Sequence, residues 1–227
     1  VLFCVAPSAS FSAFPFLSPP PSLAFGSPPC VAVRGPPLFL PPRSSGHGPS
    51  HSCVRLVLFL ALFADPPLQV CILTAPAQLF PALRRQLLRR FRKPLVIMSP
   101  KSLLRHKLAV SAVAEFEQGA FRTVIDDALV DAAKVRRVLF VSGKFYYTLL
   151  EARAAAGRQD IAIVRLEQLY PFPHSEVAAV LARYPQATDL RWVQEEPQNM
   201  GGWRHLRHRF EMAVPEGASL SAIARPA

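Results

Sequence analysis

Short runs of consecutive apolar residues, each followed by a stretch with helical spacing, recur along the second part of the chain and limit what it can fold into. Leu95-Val96-Ile97-Met98, Arg137–Val141, Ile161–Val164 and Leu190–Val193 are apolar on successive positions, as strands covered on both faces are. Between and after them, Lys144–Ala156 closed by Gly157, His174–Arg183 ended by Tyr184-Pro185, and a segment from about Gly202 to Met212 read as helices. An earlier helix opens at Thr74-Ala75-Pro76, a hydroxyl cap with proline in the first turn. It carries Leu79, Phe80, Leu83, Leu87, Leu88 and Phe91 at helical spacing. Apolar strands alternating with helices predict an open α/β architecture, a mainly parallel sheet with helices on both faces.

Composition breaks sharply before this pattern begins. Of the 24 prolines, 14 lie in residues 1–67, where Arg34, Arg43, Arg55 and Asp65 are the only charged residues. Runs such as Ser18-Pro19-Pro20-Pro21-Ser22 and Gly35-Pro36-Pro37 exclude a regular helix or a central strand. Residues 1–67 are therefore expected to be irregular, and residues 68–227 to form the α/β domain. The run Val54–Phe63 is ten residues long and contains Arg55, too short to span a bilayer. Cys4, Cys30, Cys53 and Cys71 form no Cys-x-x-Cys pair, which argues against a zinc site or a disulfide framework and for a reducing compartment. The net charge of +11 is spread over helices with acids between the bases, without the aromatic-basic platform that nucleic acid calls for.

In a parallel sheet, function collects at the carboxyl ends of the strands. Four segments lie there: Ser99-Pro100-Lys101-Ser102; Ser142-Gly143-Lys144; Glu167 to Pro173; and Gln194 to Trp203. Lys101, Ser102 and Arg105 are candidates for a nucleotide or acyl-coenzyme A phosphate, against the alternative of a loop packed on a neighbouring subunit. Lys101 and Lys144 are expected on one rim. Ser142-Gly143-Lys144 lacks the first glycine and the following Ser/Thr of a phosphate loop. Glu195 and Glu196 are adjacent and point in different directions, so they do not form a cooperating acid–base pair. His205 and His208 sit three apart among Arg204, Arg207 and Arg209, which reads as a solvated basic face without a metal.

The segment from Thr74-Ala75-Pro76-Ala77-Gln78 to Leu103-Leu104-Arg105-His106 resembles the 2-oxoglutarate dehydrogenase family. So do Ser142-Gly143-Lys144 with Tyr146-Tyr147, Ile163 to Pro173, and Gln194-Glu195-Glu196-Pro197 with Asn199, Gly201 and Trp203. Upstream, Gly46-His47-Gly48-Pro49-Ser50-His51-Ser52 is similar to a family loop reading Gly-Gln-Gly-Pro-Glu-His-Ser, so His51 is the one catalytic candidate. Pro42, Arg43, Ser44 and Ser45 stand where the family has His-Gly-Tyr-Glu, so a substrate histidine is missing. Faint identities amid unrelated residues in 1–67 suggest that the upstream coding sequence has been read in a shifted frame.

The resemblance implies a transketolase-like C-terminal domain, preceded by the degraded end of a pyrimidine-binding domain. It implies a parent enzyme of the tricarboxylic acid cycle that uses thiamine diphosphate and magnesium to decarboxylate 2-oxoglutarate. The succinyl group then passes to the lipoyl-bearing succinyltransferase component. In the family the diphosphate and magnesium are held by a Gly-Asp-Gly motif in an earlier domain, and no such run occurs here. This chain is accordingly expected to be a fragment cut at both ends, inactive alone and binding no cofactor, with Gln194, Glu195, Glu196, Asn199, Gly201 and Trp203 in a loop facing a second subunit. The alternative is a non-catalytic nucleotide- or acyl-CoA-binding regulatory or oligomerisation module. A homodimeric parent in the cytoplasm, or in the mitochondrial matrix of a eukaryote, is expected, with neither nucleic acid nor membrane as partner.

Overall fold

In the computed structural model the described residues are 37–40, 56, 60, 68–90 and 93–226. His51 and the Pro-rich runs before residue 36 lie outside them. The strands are β1 (Pro37–Leu40), β2 (Gln69–Cys71), β3 (Leu95–Met98), β4 (Val124–Ile125), β5 (Arg137–Val141), β6 (Ile161–Leu166), β7 (Gln168–Tyr170), β8 (Asp189–Pro197) and β9 (Ser219–Arg225). The α-helices are α1 (Pro76–Leu88), α2 (Val113–Glu117), α3 (Phe145–Ala155), α4 (His174–Ala182) and α5 (Trp203–Glu211), with single 3-10 turns at Lys101–Arg105 and Ala132–Lys134.

These strands form two sheets. One has four strands in the order β1-β3-β2-β7; the other has five in the order β4-β6-β5-β8-β9. Within the first, β1 and β2 flank β3 in parallel, and β7 runs antiparallel to β2. In the second, β6, β5, β8 and β9 are parallel, and only the two-residue β4 is antiparallel. The expected mainly parallel α/β architecture is present.

Four local expectations need correction. Pro37–Leu40, placed in the irregular part, is a strand. It lies on the sheet's edge with Pro37 as its first residue, opposite Leu95, where a residue with no N–H removes little. Strand β8 runs to Pro197, so Gln194, Glu195 and Glu196 belong to a strand rather than to a loop. His205 is not part of a solvated face: it is half-buried, its ring set edge-on 5.9 Å from Tyr170, whereas His208 is exposed beside Glu211.

The last correction concerns α1. Its N-cap is Ala75, with no side-chain cap, because the Thr74 hydroxyl is bonded to Glu167. The helix turns Ala77, Gln78, Pro81, Ala82 and Gln86 to the protein and leaves Phe80, Leu87 and Leu88 more than half exposed. Its buried amides account for this. Gln78 Oε1 accepts from Arg122 N at 2.9 Å, and Gln86 accepts from Gln69 Nε2 at 3.1 Å while donating to Lys93 O. Buried polar groups so bonded cost little to enclose.

One apolar core runs under both sheets, joining Val70, Val96 and Met98 to Phe140, Val164 and Trp192. Phe210 on α5 is its hub, with ring centroids 4.8 Å from Phe140, 4.9 Å from Phe172 and 5.9 Å from Trp192. A polar anchor complements it. The carboxylate of Asp127 binds the Arg153 guanidinium of α3 and accepts from Ile163 N of β6 at 2.9 Å and from Leu129 N at 3.0 Å. Both partners are at least nine-tenths buried, so losing one leaves the other charged and dry. Asp127→Ala should therefore lower unfolding stability by about 3–5 kcal/mol. Lys134→Ala, which breaks an exposed pair with Asp131, should change it by less than about 1 kcal/mol. Urea denaturation of the two variants checks both.

Candidate functional site at the strand ends

After β5 the chain adds β6 on one side and later β8 and β9 on the other. The carboxyl ends of β5 and β8 therefore flank the topological switch point, where ligands of open α/β sheets bind. A cleft lies there, lined by Ser142, Gly143 and Lys144 from one strand end and by Gln194, Glu195 and Glu196 from the other. Ile72 and Pro100 approach from the side of the four-stranded sheet. Gly143 permits that approach: its φ is +68°, and a Cβ there would stand 2.9 Å from Ile72 Cγ2.

The cleft holds about 40 Å³, room for a few water molecules and too little for a nucleotide. Lys144 Nζ lies 3.1 Å from Glu195 Oε2 across adjacent strands, so the rim neutralises its own cation. Of the two neighbouring glutamates, Glu195 is taken up by Lys144.

Gln194 is buried and ties the rim to the segment that follows it. Its Oε1 accepts from Trp192 Nε1 at 2.8 Å and from Trp203 N at 3.2 Å, and its Nε2 lies within 2.8–3.3 Å of the carbonyls of Glu196, Pro197 and Met200. Gly201, at φ +71°, rests on this amide; a Cβ there would sit 2.8 Å from Gln194 Oε1. Arg225 of β9 donates to Glu195 O at 2.7 Å. Asn199 is exposed on the turn.

The remaining candidates are not gathered here. Ser102 and Arg105 are exposed on the 3-10 turn, and neither lines the cleft. The side chain of Lys101 lies outside the described residues, so the rim expected to be shared with Lys144 is represented only by Pro100. Among the described residues no three His, Cys, Asp or Glu side chains converge as metal ligands. Likewise, no helix among the described residues is long and apolar enough to cross a membrane.

A second polar centre escaped the sequence reading. Glu167, fully buried between β6 and β7, accepts from Thr74 N at 2.8 Å and from the Thr74 hydroxyl. Arg165 Nη1 donates to that hydroxyl at 3.2 Å, and Tyr147 Oη donates to Thr74 O at 2.7 Å. Desolvation pushes the Glu167 carboxyl up to about 7, against the pull of the Thr74 donors, Arg165 and Arg122. Its signal in the sequence was a lone acid inside the apolar stretch Ile161 to Phe172. Cys71 is also fully buried, and desolvation raises its thiol to about 12, which makes it an inert core residue.

The chain's two tryptophans, Trp192 and Trp203, both bond Gln194, so intrinsic fluorescence reports this rim. Gln194→Ala leaves two buried donors without an acceptor and should cost about 3 kcal/mol. The emission maximum should move to the red. Asn199→Ala should change neither the urea midpoint nor the emission spectrum.

Comparison with known proteins fits this geometry. The family described as 2-oxoglutarate dehydrogenase C-terminal matches residues 110–227, and that described as transketolase, pyrimidine binding domain, matches residues 40–107. The 2-oxoglutarate dehydrogenase E1 component of Cupriavidus necator is 51% identical over 191 residues, which is 84% of this chain and 20% of the relative. That of Haemophilus influenzae is 49% identical over 191 residues, with the same two shares of 84% and 20%. The 2-oxoglutarate dehydrogenase E1/E2 component of Corynebacterium glutamicum is 42% identical over 192 residues, covering 84% of this chain and 16% of the relative. The chain thus spans about one fifth of the length of the first two relatives. It belongs to the 2-oxoglutarate dehydrogenase family.

Proposed function

We propose that this chain is the C-terminal portion of the thiamine-diphosphate-dependent E1 component of a 2-oxoglutarate dehydrogenase. In this reading it supplies the strand-end rim and the dimer-facing surface, and the decarboxylation depends on residues beyond it. The observation that carries the reading is the closed state of the rim at the switch point. Lys144 is paired with Glu195 and Gln194 is fully engaged, in a cleft of about 40 Å³. Such a rim is built to be packed against rather than to seat a phosphate ligand, so a nucleotide- or acyl-CoA-binding module is not supported.

The family's diphosphate- and magnesium-holding motif lies outside this sequence. No Gly-Asp-Gly run exists in the sequence, and no ligand cluster forms among the described residues. Both groups belong, in this proposal, to the complete E1 component, with His51 as the one catalytic candidate of this chain by resemblance. Of the residues expected in the dimer-facing loop, Glu195, Glu196 and Asn199 would face the second subunit of a homodimer, and the buried Gln194, Gly201 and Trp203 would hold the surface in shape beneath them. The succinyl group would pass to the lipoyl-bearing succinyltransferase of the same complex. The bacterial sources of these relatives favour a cytoplasmic assembly. The two family matches, to residues 40–107 and 110–227, favour a division between pyrimidine-binding and C-terminal parts near residues 107–110 over one at residue 67.

The purified chain, supplied with thiamine diphosphate, magnesium and 2-oxoglutarate, should reduce ferricyanide no faster than a protein-free blank. Turnover above the blank would overturn the proposal.

A further inference from the structure

The outer side of α1 carries Phe80, Leu87 and Leu88, each more than half exposed. Residues seven and eight apart lie on one stripe of a helix. The segment after the 3-10 turn at Lys101–Arg105 is tied to the first turn of α1 at two points. Ser111 Oγ accepts from Ala77 N at 3.2 Å, and Gln78 Oε1 accepts from Arg122 N at 2.9 Å. Between and beside these ties the segment turns Val110 and Val113 outward, 75% and 73% exposed. Helix α2, which lies against α1, has no buried residue. A helix of five residues gains too little from its own turns to hold itself. Single exposed apolar residues are ordinary, but a set of them side by side marks a surface made for contact.

Charge narrows the choice of occupant. Arg84 stands within the stripe, one turn from Phe80 and one from Leu88, and Arg90 lies just past the helix end. Both are exposed, and among the described residues neither has an acidic partner. The acids of α2, Glu115 and Glu117, belong to the excursion that leaves from and returns to the first turn of α1, at the other end of the stripe. A second copy packed on this stripe about a two-fold axis through its middle would set Arg84 against Arg84, like charges at close range. A helix with a carboxylate between two apolar anchors meets the stripe without that conflict. Its source follows from length, because about four fifths of each of the first two relatives lies outside the part that this chain matches.

We propose that the outer stripe of α1, with Val110 and Val113 beside it, is the docking surface for an amphipathic helix from the upstream part of the E1 polypeptide. The partner's apolar anchors sit on Phe80, Leu87 and Leu88, and its acidic side chain meets Arg84. The inference rests on the reading of this chain as the C-terminal portion of an E1 component.

Labelling of single cysteines with N-ethylmaleimide, followed by peptide mass spectrometry, reads the surface against the rate of the same thiol in urea. In this chain Leu88→Cys and Val113→Cys should react nearly as fast as in urea, at every chain concentration. The complete E1 component of Cupriavidus necator supplies the comparison, since its 191 matched residues necessarily include the counterparts of α1 and α2. There, cysteines at the positions aligned with Leu88 and Val113 should react at least about tenfold more slowly than in urea. Amide exchange on the unsubstituted proteins gives a second readout, independent of how any variant folds. The last turn of α1 and the counterpart of α2 should exchange more slowly in the complete component than in this chain.

Arg84→Glu, made at the aligned position of the complete component, should restore labelling several-fold, and Arg84→Lys should leave the thiols protected. Equal labelling in the chain and the complete component would overturn the proposal, as would equal protection with Glu and Lys at that position. Labelling in this chain that slows as its concentration rises would assign the face to a second copy and equally sink it. A chain inert in the ferricyanide assay, with the counterpart thiols open in the complete component, would overturn the docking surface and leave the E1 reading standing.

Discussion

The passage of one strand from the five-stranded sheet into the four-stranded sheet, with a buried carboxyl at the crossing, is the constraint on which the rest of this structure hangs. A strand cannot change sheets without leaving backbone groups to be bonded at the junction. Here they are met by Ile72 and Thr123, one from each side. The same residue, Glu167, then binds Thr74 through its side chain, so the crossing also fixes where the four-stranded sheet meets α3 and the end of β5. The close approach of Ile72 to Gly143 depends on that placement, and so does the floor of the cleft beside Lys144.

The cleft shows why position in a fold does not decide chemistry. It sits at the switch point that serves many α/β proteins as a ligand site. A phosphate there needs amides and a cation left free in the absence of ligand. The Lys144 ammonium instead has a carboxylate at 3.1 Å, and an incoming anion would have to displace Glu195 from it. The Gln194 amide spends both its oxygen and its nitrogen on the rim itself. What the described strand-end residues offer to the outside is shape and a few exposed side chains such as Asn199.

Periodicity revealed the parts of the fold whose hydrophobic signal is continuous. Leu95–Met98, Arg137–Val141 and Ile161–Val164 stand where the apolar runs lie, and α3, α4 and α5 follow them. The strands that escaped notice carry weaker signals for identifiable reasons. Strand β9 alternates exposed and half-buried residues at the sheet's edge, so Ser219–Arg225 has no apolar run. Strand β7 is separated from β6 by a single residue, which blends the two. On α1 the spacing of Leu and Phe was legible but the buried face was not, because Gln78 and Gln86 are enclosed by partners outside the helix. Site residues behaved alike. The strand-end segments were found, whereas the pairing of Lys144 with Glu195 and of Glu167 with Thr74 links positions far apart in sequence that only the sheet register brings together.

A chain covering one fifth of its relatives' length can still hold a well-bonded fold, because a parallel sheet is stabilised by its own covering helices. The Phe210 cluster and the Asp127–Arg153 anchor both lie within residues 127–210, and neither needs a partner to be complete. Catalysis on a bound cofactor has the opposite requirement: the groups that hold the cofactor and those that place the substrate must converge from separate parts of the protein. Folding energy and chemistry are thus distributed differently along the same polypeptide. Among the described residues the rim at β5 and β8 is satisfied within itself as a piece of fold, with Lys144 paired to Glu195 and Gln194 bonded to its own neighbours.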